Sequence, residues 1–291
     1  RLKVFQSVAK NLSFTKASQE LFVSQPAITK HIQELEATYQ TRLFDRQGSK
    51  ISLTESGRLL LEHCERILEE YKRLEYEMHL LHNEYIGELK LGASTTIAQY
   101  VLPPLLGSFI GKFPQVNLSL LNGNSREIEA ALQEHRIDLG LVEGVFRLPN
   151  LKYTTFLEDE LVAVVHSKSR LQLPEEITPQ DLPAIPLVLR ERGSGTLDVI
   201  ERSLQKHGVK LSSLHVLMYL GSTESIKLFL ENSDCMGIVS IRSICKELAA
   251  GTFRVVEIKD MPMLRDFCFV QLQGQEGGLS QAFMNYMFMS R

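Results

Sequence analysis

The sequence predicts an α+β chain of several domains. A small head of three short helices and a β-hairpin spans residues 1–58, one long helix spans 59–87, and a two-lobed α/β body spans 88–291. Three observations carry this reading. Three narrow apolar stripes at helical spacing fall within the first 36 residues, and two strand-like runs around a glycine turn follow them. Apolar positions then alternate in steps of four and three for four heptads. Beyond them, strand-like and helix-like segments alternate to the C-terminus. The first lobe is expected over 88–164 plus 265–291 and the second over 165–264.

Bulk numbers bound the class. A chain of 291 residues is long for one hydrophobic core. Hydrophobic content of 44% and charged content of 23% are ordinary for a globular protein. No apolar run approaches the roughly 20 residues of a membrane helix. No secretory pattern is visible, so a cytoplasmic location is expected. The chain opens on Arg1 rather than Met, from which a few missing native residues are expected. Cys64, Cys235, Cys245 and Cys268 are scattered without CxxC spacing, as expected of reduced thiols and not of a disulfide framework or zinc site. The net charge of −3 hides an asymmetry. Residues 1–58 hold nine Lys/Arg and five Asp/Glu, a net of +4, which leaves −7 for the remainder. A basic head on an acidic body suits a protein whose head alone meets a polyanion.

In the head, Leu2, Phe5, Val8, Ala9 and Leu12 make the first stripe, and Ser13 is placed as the N-cap of a second helix with Ala17 and Leu21 inward. Val23 ends that helix and Ser24 caps the next, so the two are joined by a turn of about three residues, the connection of a helix-turn-helix pair. On a helical wheel, Ile28, Ile32 and Leu35 cluster on one side of the third helix, while Pro26, Lys30 and Gln33 point away with Ala27 and Thr29 on the flanks. Pro26 is harmless in a first turn, whose N–H groups have no intrahelical partner. The outward N-terminal end is slim and polar, the shape a major groove admits. Leu43–Arg46 and Ile51–Thr54 read as strands around Gly48, with Arg46 and Lys50 bracketing the tip, a basic wing within reach of phosphates.

Thr54 is placed as the N-cap of the long helix. Its seam runs Leu60, Cys64, Ile67, Tyr71, Leu74, Met78, Leu81 and Tyr85, with Gly87 as the stop. The head has nothing to bury so long a stripe, so a partner chain is implied. His79 and His82 stand three apart on this helix and are read as solvated rather than metal-binding.

In the body, strands are predicted at 88–92, 116–121, 137–142, 161–165, 186–189, 214–219, 236–240, 253–258 and 267–271, with helices at 97–111, 125–134, 196–207, 223–231, 242–250 and 279–289. The sheets are expected to be largely parallel. Ligands in such sheets bind where strands end and helices begin. There stand Ser94-Thr95-Thr96, Asn124-Ser125, Ser194-Gly195-Thr196 and Ser222-Thr223, two turns from each lobe. Each alone is explained by N-capping. Together they predict an inter-lobe cleft for a small anion. Glu143 ends a strand beside it; such a carboxylate either accepts from a ligand donor or turns away, and the sequence leaves both open. No GxSxG, GxxxxGK[ST] or HExxH motif is present, and GSG at 193–195 lacks the dinucleotide pattern, so no enzyme, cofactor or metal is expected.

The run FxxVAxxxSFTxASxxLxxSQPAxTxxIxxLE from Phe5 to Glu36, with LFDR at 43–46 and LTESG at 53–57, closely resembles the LysR-type transcriptional regulators. GASTT, DLGLVEG and ERGSGT resemble the branch regulating sulfur assimilation. The resemblance implies a winged helix-turn-helix, a linker helix that forms a homodimer, and an effector domain akin to periplasmic binding proteins that often pairs dimers into a tetramer. It implies binding to partly palindromic promoter DNA, with an effector altering DNA bend and RNA polymerase recruitment. Its DNA contacts map onto Gln25, Pro26, Ala27, Thr29 and Lys30, with Ser24 as cap and Arg46 and Lys50 in the wing. Its effector contacts map onto Ser94, Thr95, Thr96, Ser125, Ser194 and Thr196. Thr29-Lys30 departs from the Ser-Arg of many members, and Lys lacks the two-pronged guanine contact of Arg. A solute-binding protein, a metabolite-cleaving enzyme and a ligand-free assembly platform are the alternatives.

Overall fold

The computed structural model describes residues 1–47, 50–80, 85–144, 147–274 and 277–290, without the side chains of 46, 47, 50, 69, 72, 73, 75–77, 79 and 80. His79 and His82 therefore lie outside the described side chains, as does Leu81. The chain forms two compact units, Arg1–Glu84 and Tyr85–Arg291.

The first unit holds α1 (Leu2–Asn11), α2 (Phe14–Glu20), α3 (Gln25–Tyr39), β1 (Phe44–Gln47), β2 (Lys50–Leu53) and α4 (Glu55–Leu80). Its helix starts follow the capping logic of the sequence. Ser13 Oγ accepts from Lys16 N at 3.2 Å and Ser24 Oγ from Ala27 N at 3.4 Å. Thr54 Oγ1 accepts from Gly57 N at 2.9 Å while donating to Arg42 O at 2.7 Å. The α2–α3 turn is Leu21–Ser24, one residue longer than expected because α2 stops at Glu20. Ile28, Ile32 and Leu35 of α3 are buried with Phe5, Val8, Phe14, Ala17, Leu43 and Phe44 in one core. Phe44 packs its ring 5.5 Å from Phe5 and 5.9 Å from Phe14. Gly57 is required where α4 meets the hairpin base, because a Cβ there would lie 2.1 Å from Leu43 O.

The seam of α4 divides. Cys64 is fully buried in the head core, its Sγ 3.3 Å from Leu2 O, and Leu60 packs against the same core. That corrects the expectation that the head could bury none of the stripe. Ile67, Tyr71, Leu74 and Met78 remain about half exposed. The helix is described as far as Leu80, and Gly87, with φ of +141°, opens a strand instead of capping the helix.

The second unit holds β3 (Gly87–Ser94), α5 (Thr95–Tyr100), α6 (Leu102–Lys112), β4 (Val116–Gly123), α7 (Ser125–Gln133), β5 (Leu139–Glu143), β6 (Leu151–His166), β7 (Glu176–Ile177), β8 (Leu187–Arg190), α8 (Gly195–Lys206), β9 (Val216–Leu220), α9 (Thr223–Glu231), β10 (Met236–Ser240), α10 (Cys245–Ala249), β11 (Phe253–Ile258), β12 (Met263–Leu272) and α11 (Gly278–Met289). The single helix expected over 97–111 is two, broken at Val101, where Pro103 and Pro104 fall in the first turn of α6 and have no N–H to carry the ladder back into α5.

The sheet order is β4-β3-β5-β12-β6-β10-β8-β9, with β11 and β7 continuing from β6. β3 pairs in parallel with β4 and β5, and β8 with β9 and β10. The middle is antiparallel, which corrects the largely parallel expectation: β12 runs against β5 and against β6 from Met263↔Leu161 to Leu272↔Leu151. β6 and β12 thus belong to both lobes. Each lobe buries both sheet faces, with Phe109, Phe156, Phe269 and Phe283 filling one side of the first and Leu187, Leu197, Ile200 and Ile238 one side of the second.

Candidate functional site

In the head, the apolar stripe fixes which way α3 faces. With Ile28 and Ile32 anchored inward, Ser24, Gln25, Pro26 and Lys30 are exposed and Ala27 and Thr29 half-exposed. Thr29 Oγ1 donates to Gln25 O at 3.1 Å, so its hydroxyl is turned toward the first turn of the helix. Arg46 pairs with Ile51 and Gln47 with Lys50 at the end of the hairpin ladder. The side chains of Arg46 and Lys50 lie outside the described ones.

In the second unit all six predicted cleft residues are buried. They do not form one set. Ser94 Oγ donates to the Glu143 carboxylate. Arg265 Nη1 donates to Thr196 Oγ1 at 2.8 Å and stands 3.6 Å from Glu143 Oε1. Ser94, Glu143, Arg265 and Thr196 therefore make one polar chain from the end of β3 to the start of α8. Ser125 Oγ donates to Glu143 O at 2.7 Å, so its proton is committed within the protein, and Ser194 Oγ accepts from Thr196 N at 3.2 Å as the cap of α8. Asn124 closes a capping box with Glu127, and Ser222 accepts from Ser225 N at 3.1 Å. Gly195 is pressed on the end of β5, since a Cβ there would lie 1.9 Å from Glu143 O. The N-terminal turn of α8 is thus packed protein against protein.

Thr95 faces a different partner. Arg190, at the end of β8 and 1% exposed, donates from Nη2 to Thr95 Oγ1 at 3.4 Å. Its Nε and Nη2 hold Glu191 at 2.8 and 3.1 Å. Arg190 Nη1 and Thr96 Oγ1 are among the buried polar atoms that have no hydrogen-bond partner among the described residues. An unpaired guanidinium nitrogen in a buried site is costly, and an anion satisfies it.

The sequence missed Arg190, Asp159 and Arg265. Asp159 takes Arg265 Nε at 2.8 Å and Ser240 Oγ at 2.7 Å, with Arg242 Nε at 3.6 Å. The available signals were a charge closing the apolar strand LVLR and a period-2 alternation placing Arg265 on the buried side with Met263 and Phe267. Burial raises the Glu143 carboxyl above the usual range, opposed by Arg265 and Arg190. Beside the cleft, Tyr100 donates to Glu224, and Lys227 is held by Glu247 at 2.6 Å and Glu224 at 2.9 Å. Burial would lower Lys227, yet the two carboxylates leave it raised. A separate open cavity of about 390 Å³, bordered by Arg147, Glu158, Arg202 and Asp266, shares Arg265 with the network but not Ser94–Thr96.

Residues 1–58 match the model of bacterial regulatory helix-turn-helix proteins of the lysR family, and residues 82–288 match the LysR substrate binding domain. The chain is 29% identical over 269 residues to the HTH-type transcriptional regulator CysL of Bacillus subtilis, covering 92% of this chain and 89% of that one. It is 34% identical over 258 residues to the uncharacterized HTH-type transcriptional regulator YeiE of Escherichia coli K12, covering 89% and 85%. Among solved structures, the regulatory domain of Synechocystis CcmR in complex with 2-PG superposes with a TM-score of 0.63 at 28% identity, covering 70% of this chain and 97% of that one. With a helix-turn-helix head and a two-lobed substrate-binding body matched in that order, the chain belongs to the LysR family of DNA-binding transcriptional regulators, with an effector-binding domain and no enzymatic role.

Proposed function

We propose that the protein is a cytoplasmic homodimeric regulator that reads promoter DNA with the front of α3 and takes a small oxyanion between Thr96 and Arg190. Gln25, Pro26, Ala27, Thr29 and Lys30 are the base-facing set, with Ser24 as cap and Arg46 and Lys50 on the backbone phosphates. The exposed polar front of α3, held by a buried aliphatic back, supports the DNA face. The exposed half of the α4 seam, Ile67, Tyr71, Leu74 and Met78, supports pairing with a second copy. A tetramer through the effector units, and contact with RNA polymerase, follow from the family resemblance.

The observation that carries the effector reading is Arg190, whose Nη1 is buried without a hydrogen-bond partner among the described residues while its Nη2 reaches Thr95 Oγ1 at 3.4 Å. Ser94, Thr95 and Thr196 line the approach, while Ser125 and Ser194 shape it through the backbone. The resemblance to the sulfur-assimilation branch and the 2-PG complex of CcmR suggest the ligands to try first: sulfur oxyanions and 2-PG. The test is binding of the full chain to a fluorescent duplex carrying an imperfect palindrome. Affinity should fall steeply with salt and change on adding the correct anion. Salt-independent binding would sink the DNA-face assignment. Thermal shifts that Arg190→Met leaves intact would sink the anion site.

A further inference from the structure

The cleft contains a carboxylate that an anionic ligand must confront. Glu143 ends β5 fully buried, with Ser94 on one oxygen and Arg265 Nη1 3.6 Å from the other. The charged groups around it are already committed. Arg265 from β12 is held at 2.7–2.8 Å by Asp159 of β6, which Arg242 also approaches. Arg190 from β8 is closed by Glu191. Arg126 of α7 and Asp198 of α8 stand 3.7 Å apart and cancel each other. Counting Arg190, Arg265 and Arg242 against Glu143, Asp159 and Glu191, the site is neutral before any ligand arrives. An oxyanion at Arg190 Nη1 and Thr96 Oγ1 would leave at least one uncompensated negative charge in a water-poor interior, where such a charge is costly. Of the three carboxylates, Glu143 has the weakest hold on a cation, and burial already favours its neutral form.

We propose that oxyanion binding in the cleft is coupled to uptake of one proton by Glu143. The inference rests on the cleft being the effector site. The balance is simple: a free carboxylate, a solvent proton and the anion become a neutral carboxyl and the bound anion. The neutral carboxyl then donates where the carboxylate could only repel. The sign follows. Free Glu143 is ionised above its raised value and protonated below it. Affinity should therefore rise as pH falls toward that value and level off beneath it.

Sulfate is the probe, because it carries no titratable proton of its own between roughly pH 5 and 9. Its Kd for the full chain should fall about tenfold per unit of falling pH while one proton is taken up. Calorimetry in buffers of different ionisation enthalpy should report the same single proton. Glu143→Gln should bind sulfate with a flat pH profile, and Arg190→Met should bind it weakly at every pH. The buffer series on the unmodified chain needs no variant to fold. Sulfate bound through Arg190 with a flat profile and no buffer dependence would overturn the coupling and leave the cleft reading standing. No sulfate binding at any pH would overturn both.

Discussion

Replacing Arg265 by Met tests the polar chain that joins the lobes. Arg265 is fully buried, with Nε 2.8 Å and Nη2 2.7 Å from Asp159 Oδ2, and Nη1 2.8 Å from Thr196 Oγ1. Met keeps much of the aliphatic volume and removes the charge. Asp159 would then retain only the Ser240 hydroxyl and the half-exposed Arg242 at 3.6 Å. Breaking one side of a buried ion pair costs about 3–5 kcal/mol, because the abandoned charge stays desolvated. A domain has only about 5–15 kcal/mol to lose. For a unit of roughly 200 residues, each kcal/mol moves the melting temperature by about 2–4 °C. The expected shift is about 6–20 °C in the effector unit, followed by calorimetry of the full chain. Adding Asp159→Leu should recover most of it, since the penalty lies in the orphaned charge and not in lost packing. A single variant that melts within about 2 °C of the parent, or a double variant that melts lower than both singles, would refute this reasoning.

Gly57→Ala should destabilise the head by about 1–3 kcal/mol, because the new Cβ meets the carbonyl of Leu43, which backbone cannot yield cheaply; urea unfolding followed by head tyrosine fluorescence reads it, and an unchanged midpoint contradicts the close approach. Under native conditions iodoacetamide should label Cys245, which is exposed, and spare Cys64, whose thiol burial pushes up to about 11; mass spectrometry of peptides finding Cys64 labelled first would contradict the buried seam. Leu74→Glu puts a charge in the exposed half of the α4 seam, and sedimentation should show a smaller species; unchanged mass would show that α4 is not the pairing surface.

Much of this architecture was written in local chain signals. The caps Ser13, Ser24 and Thr54, and the Ile28, Ile32, Leu35 stripe, are decided within a turn or two of helix, so spacing alone finds them. The same holds for the strand–helix rhythm of the body. What failed is non-local. Residues 151–160 of β6 read LKYTTFLEDE, too polar to look like strand, because their ladder partner is β12 more than a hundred residues away. Cys64 and Leu60 fit a dimer seam by period, and only the tertiary position of α1 assigns them to the head core. Serines and threonines at the four helix starts were visible, but capping and ligand-facing hydroxyls look alike in sequence. Arg190, Asp159 and Arg265 were invisible as a set, since a buried charge betrays itself only through its distant partner.

The central claim is that Lys30, on the exposed front of α3, reads a base edge. Selection of Lys30→Ala and parent protein against a randomised duplex library measures it directly. The account predicts that the variant loses preference at one base-pair position in each half-site, by about 1–3 kcal/mol, while its affinity for unrelated DNA is nearly kept. An equal loss on every sequence, with a shallower salt dependence, would make Lys30 a phosphate contact and contradict the claim.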